Sequence, residues 1–178
     1  SIALGVSTRT TMGEPLSRVI RTAEQWMYQH KLAEADSITN ALVLSISDAL
    51  ETKYQDGVER GARQETLAIK LGRALGLSHQ ELADLALLAR MHDVGHVLTK
   101  EEILSRPSPR SSEEEQIYQQ HVESGYRVAR ALPQLRPIAE TILAHHEHWD
   151  GSGYPRGLAG EDIPLLARIM AVVDAFDD

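Results

Sequence analysis

Residues 144 to 155 read AHHEHWDGSGYP, and their side chains could do chemistry together: His145, His146 and Glu147 in succession, Asp150 close behind, then a Gly-Ser-Gly-Tyr-Pro loop. Neighbours on a helix point about 100° apart, so two adjacent imidazoles cannot both face one apolar layer. A polar object that collects both is the simpler account. The chain holds further residues of the same kind. His92, Asp93 and His96 fall in MHDVGHV (91–97), His121 in QQHVESGY (119–126), and Asp174 in the apolar run LLARIMAVVDAF. Buried without a partner, Asp174 would cost on the order of several kcal/mol, so it faces solvent or meets a cation. Imidazole and carboxylate together suit iron, manganese, zinc or magnesium, and an aspartate can bridge two ions about 3.5–4 Å apart. The pattern reads as a two-metal hydrolytic site. Taken singly each element has a plainer account: a lone histidine such as His30, His79 or His148 is ordinarily a surface or helix-end residue, and a His-Asp pair arises by chance. The joint occurrence at these spacings carries the reading.

Composition narrows the rest. There is no cysteine among the 178 residues, which removes disulfides and thiolate metal sites and leaves nitrogen and oxygen ligands. A formal net charge of −8 argues against a basic nucleic-acid surface, so DNA and RNA are not expected as partners. An anionic substrate would need local positive charge, which a metal supplies. No apolar run approaches the roughly 20 residues of a membrane span, and no signal peptide is visible at Ser1 to Met12, so a cytoplasmic setting is expected. The absence of an initial Met and the stop at Asp177-Asp178 suggest a piece of something longer.

The elements that must position these residues are helices; strand-like alternation is hard to find. Leu16, Val19, Ile20, Ala23, Trp26 and Met27 repeat at three and four residues, as do Ile38, Leu42, Ile46 and Leu50, predicting two opening amphipathic helices. A third runs from about Val58 to Leu75, with Gly76 suited to the position past its end. Ser78 with Glu81 makes a capping box for a fourth, carrying Leu82, Leu85, Leu88 and Met91 straight into MHDVGHV, where Gly95 weakens the helix. Thr99 with Glu102 predicts a short helix, RPSPRSS (106–112) a loop, and Ser112 with Glu115 a helix through His121 to about Leu132. Pro133 and Pro137 bracket a turn before a helix ending in the paired histidines, and Pro164 opens a last apolar helix.

MHDVGHV, QQHVESGY, HHEHWDGSGYPRGLAGEDIP (145–164) and ARIMAVVDAFD (167–177) together resemble the HD-GYP family, the branch of HD-domain metal phosphohydrolases associated with hydrolysis of cyclic di-GMP. The likeness covers roughly residues 40 to 178. It implies an all-α bundle converging on a two- or three-metal centre, to which the periodicity of the opening segment adds extra helices at the N-terminus. Residues 1–34 are then a helical appendage or a linker to an upstream domain, and 35–178 the HD-GYP domain, with truncation at its C-terminus left open. Two divalent ions are implied, iron or manganese first, zinc or magnesium next. Carried across by the resemblance, His92 and Asp93 match the signature pair, with Asp93 bridging; His121, His145 and His146 match the second ion's imidazoles; Asp174 matches the carboxylate closing the first site. Asp150, Gly153, Tyr154 and Pro155 fall in the GYP loop, which resembles a lip beside the substrate pocket. Glycines at 151 and 153 let such a loop turn sharply.

The same resemblance exposes departures. The family usually places a histidine four residues after a glutamate in the preceding helix; here those positions are Arg60 and Asp56. The first metal site looks depleted; an inward Arg60 would repel the cation and contact substrate phosphate bidentately, the alternative being an Arg60 that faces solvent while His96 makes good the missing donor. The family's lysine after Asp-Ile-Gly is His96, to which three roles are open: binding phosphate when protonated, general acid, or extra ligand. Asp93 and His96 are the expected catalytic residues. The implied activity is metal-assisted hydrolysis of cyclic di-GMP to pGpG, GMP or both. The alternatives are a degenerate domain that binds the dinucleotide or a protein partner without turnover, and a hydrolase of another nucleotide phosphoester. The stripe Leu16 to Met27 is expected to pack on a helix from a second copy or an upstream sensory domain, the alternative being the bundle itself.

Overall fold

The apolar spacing of three and four is realised as helix throughout, and among the described residues there is no strand, only an isolated antiparallel bridge between Asp150 and Ala159. The computed structural model describes residues 4, 6–8, 15–53, 57–105 and 109–177, without the side chains of 26, 28–38, 51, 57 and 58. In chain order the helices are α1 (Leu16–Lys53), α2 (Gly57–Ala74), α3 (His79–Met91), α4 (Glu101–Leu104), α5 (Ser112–Gln119), α6 (His121–Ala131), α7 (Ala139–Ala144) and α8 (Leu165–Asp177), with 3₁₀ turns at Val94–Leu98, Arg136–Ile138 and Gly160–Asp162. None is long and apolar enough to cross a membrane. Asp56 and residues 106–108 of the expected loop lie outside the described residues.

Two compact units divide the chain, Ser1–Leu42 and Val43–Asp178. In the first, Leu16, Ile20 and Met27 of α1 are exposed, while the Trp26 side chain lies outside the described set. Sequence periodicity predicted two opening helices; α1 is one, because no Gly or Pro falls between Leu16 and Lys53 to interrupt the ladder.

The second unit carries the core. Leu85, Leu88, Met91 and Val94 pack with Leu135, Ile138 and Ile142 and with Ile169, Met170 and Val173, so α3, α7 and α8 share one apolar layer, joined by Ala68 of α2 and Ala129 of α6. Gly76 closes α2 at φ 77, a conformation that costs a glycine little, and Leu77 N–H reaches back to the Gly72 carbonyl at 3.0 Å. The Ser78–Glu81 capping box opens α3 as predicted.

Two caps differ from expectation. Thr99 does not cap α4: Lys100 precedes that helix, and the Thr99 hydroxyl instead meets His96 Nδ1 at 3.2 Å. The box expected at Ser112 and Glu115 forms one residue earlier, at Ser111 and Glu114. The helix expected to run on through His121 is split at Gln120. There the Tyr118 carbonyl, part of the ladder of a continuous helix, accepts from the His121 ring at 2.7 Å. Pro164 does open α8, its carbonyl accepting from Ala167 N–H at 2.9 Å.

Candidate metal centre

Helix ends create the site. The last carbonyls of a helix have no partner within it, and three histidines take them up. His92, capping α3, meets the Ala89 carbonyl through Nδ1 at 3.1 Å; His121, at the α5–α6 split, meets that of Tyr118; His145, capping α7, meets that of Ile142 at 2.6 Å. A carbonyl only accepts, so in each neutral ring Nδ1 holds the proton and Nε2 holds the lone pair. This settles how residues adjacent in sequence serve one cluster: α7 stops at Ala144, and His145 and His146 leave the helix end with ring centroids 4.1 Å apart.

Asp93 stands at the centre. Its Oδ1 lies 3.5 Å from His121 Nε2, 3.7 Å from His145 Nε2 and 3.9 Å from His96 Nε2, and its Oδ2 lies 3.5 Å from His92 Nε2. Ligand atoms of Asp93, His121, His145 and His146 all fall within 4.8 Å of one another, a group able to hold a metal ion. The approach is made possible by two glycines: a Cβ on Gly95 would collide with the His121 carbonyl oxygen, and one on Gly125 would stand 3.2 Å from Gly95 N. The turn bearing Asp93 therefore lies directly against the start of α6.

The electrostatics suit a cation. Burial works to raise the Asp93 carboxyl, but the surrounding imidazoles of His92, His145, His96 and His121 outweigh it and hold it well below the ordinary range. Yet His96 and His121 resist protonation: burial pushes them down to about 3 and about 4. Burial and the neighbouring His145 push His146 down to about 2. Protons are poor suppliers of the charge the carboxylate needs at neutral pH. Nε2 of His121 faces Nε2 of His145 at 3.4 Å, and buried His92 Nε2 makes no hydrogen bond. Lone pairs converging on one carboxylate are what a divalent cation resolves, so the donors fit the metal reading.

The remaining expected residues divide. Tyr154 stacks on His146, centroids 5.0 Å apart, and burial raises its hydroxyl pKa. Gly153 lies so close to the backbone of His146 to His148 that a Cβ there would overlap it. Pro155 follows Tyr154 through a cis peptide bond and is exposed. Asp150 is exposed, and its carboxylate accepts from Ser152 N–H at 3.0 Å and Ser152 Oγ at 2.6 Å, shaping the turn. His96 is fully buried and stacked on His121 with centroids 3.8 Å apart. Its neutral state suits the ligand role better than the protonated ones. Asp174 stands outside the four-residue group: Oδ1 accepts from Arg60 Nη2 at 3.0 Å and Gln64 Nε2 at 2.9 Å.

Sequence reasoning named Glu147 without giving it a role and missed Lys53. Glu147, 3% exposed, accepts from Arg156 N–H at 2.7 Å and Leu158 N–H at 2.9 Å, fastening the glycine-rich loop from inside. An acidic residue directly after two candidate ligands was the available signal. Lys53 Nζ donates to the carbonyls of His96, Val97 and Thr99 at 2.9, 2.8 and 2.6 Å, holding the turn after Asp93. Nothing in the spacing marks it.

Comparison with known proteins agrees with this architecture. A family model described as "HD domain" matches residues 45–178. The chain is 38% identical over 141 residues to the 3'3'-cGAMP-specific phosphodiesterase 2 of Vibrio cholerae, covering 76% of this chain and 26% of that protein. It is 35% identical over 164 residues to the cyclic di-GMP phosphodiesterase of Thermotoga maritima, covering 88% and 42%. The chain thus spans less than half the length of either relative. An HDG"Y"P protein from Bdellovibrio bacteriovorus, 19% identical, shares the fold with a TM-score of 0.59 over 95% of this chain and 62% of that one.

Proposed function

The chain belongs to the HD-domain family, and from its site we propose a metal-dependent phosphodiesterase that hydrolyses a cyclic dinucleotide, with cyclic di-GMP the substrate and pGpG, GMP or both the products, in a cytoplasmic signalling protein. One observation carries the reading: the half-buried Asp93 carboxylate ringed by imidazoles whose lone pairs face it. When bound, a divalent cation, iron or manganese before zinc or magnesium, supplies electrophilic charge against the phosphodiester.

The protein's own groups do the rest. Asp93, His121, His145 and His146 would hold the cation, with tautomers fixed in advance by helix carbonyls. Tyr154, stacked on His146, and the loop tied down by Glu147 would form the wall against which a guanine or ribose lies. Buried apolar neighbours exclude water from the back of the site, which strengthens each charge there.

A second reading, a domain that binds the dinucleotide without turnover, is favoured by the engagement of Asp174 with Arg60 and Gln64. Purified protein loaded with manganese or ferrous iron should convert cyclic di-GMP, lose that activity on chelation, and lose it in Asp93→Ala. Tight binding of the dinucleotide with no product would establish the second reading instead, and a preference for 3'3'-cGAMP would move the substrate while leaving the reaction.

A further inference from the structure

Between α2 and α8 two arginines face two aspartates. Arg60 and Gln64 are one turn apart on α2 and both donate to the same atom, Asp174 Oδ1, at 3.0 and 2.9 Å. One turn on, Arg63 donates to both oxygens of Asp177 at 2.9 and 3.3 Å, with Arg60 Nε 4.0 Å from Asp177 Oδ2. Gln64 is 2% exposed, so its bond to Asp174 is sheltered from water. Asp174 Oδ1 also lies 3.8 Å from His92 Nε2.

A carboxylate oxygen offers two lone-pair sites, and two N–H donors occupy them. The oxygen that would join His92 and Asp93 around a first cation is therefore engaged. Besides the second Asp174 oxygen, which shares its carboxylate with the guanidinium, that leaves His92 Nε2 and Asp93 Oδ2, where catalytic sites such as those of zinc draw about three donors from the protein. A guanidinium stays protonated at any working pH and cannot ligate. Its charge sits against the carboxylate a metal would otherwise neutralise.

We propose that this chain holds a single divalent cation, on Asp93, His121, His145 and His146, and that the Arg60 guanidinium is its permanent substitute for a second. The inference rests on the metal reading above and deepens it: the phosphodiester would meet one exchangeable cation and one fixed one.

The experiment is metal counting. The wild-type chain and Arg60→His, stripped and dialysed against Mn²⁺, are compared by elemental analysis and by electron paramagnetic resonance. The wild type should saturate at about one equivalent with the hyperfine sextet of an isolated ion. Arg60→His should reach about two, with the broadened spectrum of ions coupled through Asp93. Arg60→Ala, with circular dichroism to check folding, separates removal of charge from gain of a ligand; it should rise above one equivalent with weaker affinity. A coupled pair in the wild type overturns the proposal, as does retention of one equivalent by both folded variants. No binding by any form would sink the metal reading itself, whereas one equivalent in the wild type and two in Arg60→His without hydrolysis would sink only the enzyme reading.

Discussion

Glu147→Gln tests whether the glycine-rich loop is held from inside. The carboxylate spends one oxygen on Arg156 N–H at 2.7 Å and the other on Leu158 N–H at 2.9 Å, in a side chain almost fully buried. The amide keeps one acceptor and turns an NH₂ toward the other donor. One charge-assisted bond goes, about 1.5–3 kcal/mol, and a sheltered N–H is left facing a donor, about 1–3 kcal/mol. Together these lower the free energy of opening the loop by about 2.5–6 kcal/mol, or roughly two to four decades in its opening constant at about 1.4 kcal/mol per decade. Native-state hydrogen exchange reads this directly: Arg156 and Leu158 amides should lose protection by that factor, up to the limit set by global unfolding, while α3 amides change little. Manganese binding should be retained, because Glu147 lies outside the ligand group. Unchanged exchange at both amides would refute the reasoning.

Gly95→Ala places a methyl against the His121 carbonyl, which is backbone and cannot yield cheaply, so denaturant unfolding should show a loss of about 3 kcal/mol along with weaker metal binding; wild-type values for both would contradict the close approach. Lys53→Met removes the ammonium shared by three carbonyls and should cost about 2–3 kcal/mol, a Tm drop of roughly 4–12 °C by calorimetry; a shift under about 2 °C would mean water replaces it fully. For metal-free protein, His96 and His121 are depressed to about 3 and about 4. The unfolded chain takes up protons on these rings below pH ~6.5 while the folded one does not, so stability is fully present above that value and falls as pH drops toward 4. A denaturant midpoint constant from pH 7.5 to 4.5 would show that the rings are not held neutral.

The helical class, the α3 capping box and the residues that meet around Asp93 were legible because each leaves a local mark: apolar spacing, a Ser-x-x-Glu pair, an imidazole beside a carboxylate. The errors came from contacts that sequence spacing does not encode. Thr99 fits an N-cap by its neighbours but is drawn to His96, and the break at Gln120 depends on a ring three-dimensionally placed to take the Tyr118 carbonyl. Arg60 was visible as a departure from a family pattern, yet its engagement with Asp174 needs the approach of α2 and α8, 114 residues apart. Gln64, Gly95 and Gly125 read as ordinary helix or turn residues until their neighbours are known.

The three ring N–H groups given to helix-end carbonyls also fix the proton inventory of ion capture. Each neutral ring already keeps its proton on Nδ1, away from the centre, and Asp93 is held ionised. A cation arriving at a ring in this neutral tautomer meets a free Nε2 lone pair and displaces no proton from that atom. At His121, pushed down to about 4 by burial, competition from protons begins only in acid, where proton activity is high enough to charge the ring.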